Sequence, residues 1–461
     1  MRGGLILAWA AAAGCRDGRL SDEALREPTA CGECHPDHLR EWSGSMHAYA
    51  GVDPVFLAME AKGQRATDGA LGDFCVRCHA PMAVADGQVG AGADLADLPE
   101  DQRGVTCAFC HLAADVVGAH NNPVVLADDR VLRGPFSDPL PNPAHESVGS
   151  TLHDRDDPRS SALCGSCHDI VTPLGAHVER TFAEWQGSLF AQPALGLSCG
   201  ACHLARRAGT AASDGGARKV HDHGFPAVDV ALQPFPVDDP AEQARQAALV
   251  QELLDDTVAA SLCLPPPGPD PAAPVVATVT LENVAAGHGF PSGATADRRA
   301  WVTLRAWRGD ALLYATGPDP DAAPVGLVSE AEDPNLWRIW STLRDADGAP
   351  THDLWAAAGI DPGPLLPVQT TLDPQDPDWV DPHVVRTHRL PAAPDRVELA
   401  VHVTPIGREI LDDLVASGDL DPGVAAAMPT FTLAPTVLSW TPSAPVGADG
   451  QACASAPSAA P

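Results

Sequence analysis

The chain has 461 residues, 45% of them hydrophobic, which is enough for two or three domains with packed cores. Its formal net charge is −32, and its only lysines are Lys62 and Lys219. That balance excludes nucleic-acid binding, which needs clustered Lys and Arg for phosphate contacts, and suits cationic partners.

At the N-terminus one Arg precedes an apolar run of about nine residues, too short to span a bilayer and suited to a secretory signal. Ala12-Ala13-Gly14-Cys15 resembles a bacterial lipobox, so residues 1–15 read as a signal segment and Cys15 as a lipidation candidate. No later stretch approaches 18 consecutive apolar residues.

Five Cys-x-x-Cys-His motifs follow: Cys31/Cys34/His35, Cys75/Cys78/His79, Cys107/Cys110/His111, Cys164/Cys167/His168 and Cys199/Cys202/His203. At this chain's Cys and His frequencies roughly 0.01 such pentapeptides would arise by chance, so five carry a meaning. The pattern is that of c-type haem attachment. Two cysteines form thioethers to the porphyrin, and the adjoining His takes one axial position on iron. Structural zinc does not ask for a His after every second Cys, and five half-sites do not pair. The expectation is five covalently bound haem c groups, with ten cysteines as anchors and His35, His79, His111, His168 and His203 as proximal ligands. Attachment of haem c also places the chain outside the cytoplasm, in the periplasm or as an outer-membrane lipoprotein of a Gram-negative bacterium.

Residues 16–235 therefore read as a haem-packed domain, mainly helical and irregular, in which the cofactors form much of the core. Residues 236–272 read as a helix, capped by Asp239, opened by Pro240 and running to about Leu262, then a Pro-rich linker from Pro265 to Pro271. From 273 to 445 the pattern turns to short strands. Val275–Asn283, Arg299–Trp307, Leu312–Ala315, Val397–Val403 and a region within Thr430–Trp440 carry β-branched or alternating residues between Pro/Gly turns. This half holds seven tryptophans after residue 300 and no haem motif, and it reads as an all-β, sandwich-like domain. Residues 446–461, rich in Ala, Ser and Pro, read as a disordered tail, with Cys453 free to pair with Cys263 or not.

The motifs and their surroundings resemble the cytochrome c554-like multihaem family. The resemblance lies in Cys31–His35 followed by Trp42-Ser-Gly-Ser45-Met-His47-Ala48, in Phe74–Pro81, Gly104–His111 and Leu163–Asp169, and in Glu179–Trp185. It implies that His47 is a distal ligand. His47 lies twelve residues after His35, about 18 Å along a helix, so it serves a different iron from His35. Asn283–Gly293 resembles a Gly-His loop of family members with a β domain after the haems, and implies that His288 ligates across the domain boundary. His223 matches an H-x-F position. His145 and His153 precede the fourth motif at family spacings; one of them is expected to ligate, His145 by preference. His38 and His120 are expected in solvent, and His177 is open to either reading. Met46, Met59 and Met82 could also ligate. His352, His383, His388 and His402 read as structural or solvated, His402 on the polar face of its strand.

The resulting expectation is a pentahaem electron carrier, with no catalytic residue assigned, serving other redox proteins such as cytochromes or a quinol-oxidising complex. Attachment to a membrane through an N-terminal lipid is an added expectation. The alternative is a reductase for a small nitrogen or sulfur species at one haem lacking a second protein ligand. Pentahaem nitrite reductases carry Cys-x-x-Cys-Lys at that haem, and this chain has no such motif.

Overall fold

The computed structural model describes residues 18–89, 95, 98–322, 324–447 and 450–455; the signal segment and Cys15 lie outside them. Among the described residues no helix is long and apolar enough to cross a membrane.

The first half is a string of short helices whose ends follow from local chemistry. Pro36 opens α1 (Pro36–Ser43), which starts directly after the first motif. Ser45 accepts the Ala48 N–H and caps α2 (Met46–Tyr49). Asp53 caps α3 (Pro54–Ala66). The third motif forms the helical turn α4 (Cys107–Leu112). After the fourth motif, β1 (Ile170–Val171) pairs antiparallel with β2 (His177–Glu179), and α5 (Thr181–Gly187) follows. Ser198 caps α6 (Cys199–His203), the fifth motif. Apolar packing in this half is sparse; one of its clusters is Phe56, Val76, Ala80, Ala83, Leu95 and Leu98.

Asp239 caps α7 (Pro240–Asp255) through the Glu242 N–H, at 3.0 Å. The helix stops seven residues short of the expected end. Residues Val258–Leu264 form strand β3 instead, with every second residue buried. Thr257 and Val258 start that alternation, and β-branched residues fit a pleated surface better than a helix.

Strands β4 (Val275–Asn283), β5 (Arg299–Arg308), β6 (Ala311–Thr316), β7 (His383–Leu390) and β8 (Arg396–Thr404) complete two antiparallel sheets with the short β9 (Phe431–Thr432), β10 (Leu438–Trp440) and β11 (Ala452–Ser455). One sheet has the order β7-β4-β3-β11 and the other β6-β5-β8-β9, with β10 also on β8. Leu262, Val279 and Leu281 of the first share one continuous core with Val302, Leu304, Val401 and Trp440 of the second. Gly309 makes the β5–β6 turn with φ 52°.

The last expected strand region is broken by a 3-10 turn at Ala434–Thr436. The expected tail contributes β11, which pairs with β3 and places Cys453 opposite Cys263, where the two form a disulfide. A helix not expected from the sequence, α8 (Arg408–Ala416), leaves the β region and packs Leu411 and Leu414 against Val55 and Ala58 of α3. Lys62 of α3 bonds Asp353 and Asp413 beside it.

Candidate functional site

The five motif histidines share one geometry. Nδ1–H of His35 donates to the Ala211 carbonyl at 2.5 Å, that of His79 to Ala50 at 3.2 Å, that of His111 to Arg133 at 2.5 Å and that of His203 to Pro226 at 2.7 Å. His168 donates instead to a carboxylate oxygen, Oε1 of Glu179, at 3.2 Å. A carbonyl can only accept, so the proton sits on Nδ1 and the Nε2 lone pair is left for a metal. Burial pulls the pKa of His79 down and those of His111 and His203 to about 4, which keeps these rings neutral. For His168 burial acts the same way, but the Glu179 hydrogen bond and charge outweigh it and raise the pKa to about 9, so this ring without a metal carries a proton on each nitrogen, and a metal on Nε2 would displace one of them.

Second imidazoles face three of these rings. Two imidazoles on opposite sides of one metal ion, each bonded at about 2 Å, have ring centres roughly 6 Å apart. His145 lies 6.2 Å from His35, His153 lies 5.8 Å from His111, and His47 lies 6.4 Å from His168. His145 donates Nδ1–H to the Glu146 carbonyl at 3.3 Å, with the Ser147 hydroxyl oxygen at 3.0 Å from the same nitrogen, whereas His153 has Nε2 on the Cys110 carbonyl at 2.7 Å and a buried, unpartnered Nδ1. His145 and His153 thus stand before two different motifs, where the sequence suggested one ligand between them. His47 stands before the fourth motif and not its own.

The Trp–Ser–His element is built to do this. Trp42 Nε1–H donates to the Val105 carbonyl at 2.8 Å, and the Val105 N–H donates to the His47 carbonyl at 2.8 Å. Gly104 between them has φ 74°, and a Cβ there would meet the His47 carbonyl oxygen at 2.5 Å. The element thereby docks on the residues just before the third motif while His47 reaches the fourth. Burial lowers its pKa to about 3.

His288 sits in a loop between β4 and β5. Its Nδ1–H donates to Gly289 at 2.9 Å, leaving Nε2 free, burial lowers its pKa, and the ring lies within electrostatic reach of both His203 of the fifth motif and His168 of the fourth. Glu184 of α5 accepts from the Gly289 N–H and the Ser292 hydroxyl, both at 3.0 Å, and Thr181 accepts from Gly293 N–H at 3.0 Å. Trp185 of the same helix donates to Leu197 at 2.9 Å, next to the cap of α6. The helix α5 therefore clasps loop and motif together.

His223 is placed differently. Its ring neighbours are His38, at 4.7 Å, and Phe225. Its backbone N–H donates to Glu41 at 3.1 Å, and Arg207 Nε–H donates to the same buried carboxylate at 2.9 Å. Ligand atoms of His38, Glu41 and His223 lie within 4.8 Å of one another, but both Glu41 oxygens are already taken. His38 is half-buried here with an unpartnered Nδ1, not in solvent. His79 has Phe56 stacked at 4.1 Å and 3°. His120 and His177 are exposed, Met82 is in the core and Met59 packs beside α8.

The cysteines draw the motifs into one cluster. Cys31 contacts Cys107, Cys78 contacts Cys167 and Cys164 contacts Cys199, while Cys110 is in electrostatic reach of Cys164 and Cys167. Nine motif cysteines are free thiols, and Cys34 is disulfide-bonded. In the β region His402 is buried between Thr303, at 3.0 Å, and Thr432, at 2.9 Å. The face that was expected to be polar is covered there, because Trp301 packs against His402 with Val325 and Leu336 behind it. His388 is buried against Tyr314, and His383 bridges Asp381 and Glu282.

Paired thiols next to anchored imidazoles with open Nε2 atoms, facing further imidazoles at metal-spanning distance, suit haem c. The chain compares with known proteins accordingly. Residues 30–112 match the sequence model of the family described as Cytochrome c554 and c-prime. Over that stretch, which carries the first three motifs, the chain is similar to c554-like multihaem cytochromes c. The fold is similar to the crystal structure of a penta-heme cytochrome c552 from Thermochromatium tepidum, with a TM-score of 0.58 and 19% identity over 92% of this chain and 99% of that one. No curated protein matches the chain.

Proposed function

We propose that the chain is a pentahaem electron relay. The observation that carries this reading is the shared anchoring of five motif imidazoles through Nδ1 within one contiguous cluster of thiols. Haem c, when bound, supplies a one-electron ferric/ferrous couple at each site. The nine free motif cysteines would hold the porphyrins, joined by Cys34 once its disulfide is opened, and His35, His79, His111, His168 and His203 would be proximal ligands. His145, His153 and His47 would ligate opposite His35, His111 and His168, as their ring separations support. His288 would reach the fifth site from the β region, which would also shield it. For His223, Nδ1 is spent on the His221 carbonyl at 2.9 Å and Nε2 is open. The cross-pairing of motifs by these ligands would clamp the cofactors together, as tunnelling requires.

Partners are other redox proteins outside the cytoplasm, in the periplasm or at the outer membrane. The negative charge favours a cationic docking face. Anchoring through Cys15 belongs to the same reading.

A second reading attaches to one observation. The ring beside His79 is Phe56, not an imidazole, which would suit a site left open to a small nitrogen or sulfur species. Mass spectrometry and spin-state spectroscopy of the mature holoprotein test both readings. Five cofactors, all low-spin and inert to carbon monoxide, are the result expected of a relay. Carbon monoxide binding to the reduced form would favour the reductase, and a colourless or zinc-loaded protein would overturn both.

A further inference from the structure

Four motif histidines donate Nδ1–H to a backbone carbonyl; His168 donates to the carboxylate of Glu179. The fold arranges this on purpose. β1 leaves the fourth motif, turns, and returns as β2, with Ile170 opposite Glu179. The chain thereby brings a carboxylate eleven residues downstream back onto its own motif imidazole. Glu179 is buried, with 8% of its surface exposed.

The charges around it do not cancel it. Arg180, the next residue, bonds Asp169 at 3.1 Å. Arg298, which comes from the β region and lies near Glu179, is bidentate to Asp229 at 2.6 and 2.7 Å. Glu184 faces the same space, but its Oε2 is spent on the His288 loop. The two guanidiniums thus form neutral pairs with other carboxylates, and Glu179 is left as a net negative group whose donor is His168.

Two effects then act in the same direction. A charge-assisted bond to Nδ1–H draws the proton away and makes Nε2 a stronger electron donor than a carbonyl partner would. A buried negative charge beside the site also favours the more positive oxidation state. Both stabilise ferric over ferrous iron. Resting on the relay reading above, we infer that Glu179 is a positioning residue that acts through His168 to lower the reduction potential of the fourth haem site below what a carbonyl-anchored site would have. The thiols of this motif lie against the second and fifth motifs and near the third. The lowered site therefore stands at the hub of the array, where electrons crossing between its arms must pass.

The test uses the full holoprotein with Glu179→Gln. Redox titration followed by optical and low-spin paramagnetic resonance spectra should show one of five midpoints rising. The expected rise is at least tenfold in the ferrous/ferric ratio at fixed potential, about 59 mV for a one-electron couple. The other four should move by less than a third of that. If no single midpoint rises, or all five rise together, the inference fails while five attached low-spin haems would leave the relay reading intact. Should the Gln variant not retain all five cofactors, Glu179→Asp keeps the charge and withdraws it by one methylene. It must then raise the same single midpoint by a smaller amount, and an unmoved midpoint overturns the assignment.

Discussion

The two halves of the molecule use histidine in opposite ways. In the first half five imidazoles spend Nδ1 on a carbonyl or carboxylate and keep Nε2 open. In the second, His402 and His383 have partners on both ring nitrogens, and His388, though its buried Nε2 is unpartnered, spends Nδ1 on Tyr314 and faces no second imidazole; His288, whose Nε2 is free, is the exception and lies in the loop held by α5. The apolar packing differs in the same sense. The β region buries Leu262, Val279, Val302, Val401, Trp337 and Trp440 in one core, while the motif-bearing half has only scattered clusters. A half built around cofactors keeps donor atoms and space for them; the β region fills its interior with its own apolar side chains.

The largest effect that could break this contrast comes from denying the chain its cofactors. Produced without haem maturation, the full chain should lose its motif-bearing half to limited proteolysis. A fragment from about Val258 onward, with the Cys263–Cys453 link intact, should survive. Equal resistance of both halves would refute the contrast. Next comes the link itself, which ties residues 190 apart in sequence. Cys453→Ser should cost the β region about 4 kcal/mol in chemical denaturation under oxidising conditions, with haem content unchanged.

The smallest effect concerns His402, whose pKa burial lowers to about 4 from 6.5. The folded ring stays neutral while the unfolded one takes a proton below about pH 6.5. Its contribution to stability is therefore intact above pH 6.5 and is lost as the pH falls toward 4. His402→Gln keeps an amide for Thr303 and Thr432 and does not titrate. Between pH 7 and pH 5 its stability relative to the parent should improve by about 1–2 kcal/mol, measured as the difference between paired urea titrations. A parallel pair of curves would mean that the ring is not shielded.

How much of this was legible in the sequence depended on range. The motifs, the cap at Asp239, the alternation in β4, β5 and β8 and the turn at Gly309 are local signals, and they appear where local chemistry puts them. The end of α7 was missed because Ala- and Leu-rich residues suit a helix until the β-branched pair Thr257-Val258 meets the sheet. The strand β11 was missed because its composition says nothing; pairing with β3 creates it. Burial of His402 depends on Trp301 from another strand. Glu179 stood in a quoted motif without a role, since only the return of β2 onto His168 gives it one. No spacing rule could have paired His145 with His35 and His153 with His111, because those contacts close loops of over 40 residues.

The fourth motif has neighbours on three sides, and that makes it an articulation point of the array. Deleting the second or fifth site would trim a tip and leave the remainder joined. Deleting the fourth would leave islands, with the first and third together and the second and fifth each stranded. On the proposed relay reading, damage to this molecule would be graded by connectivity, and the costliest single loss would lie in the middle of the chain's traffic rather than at either door.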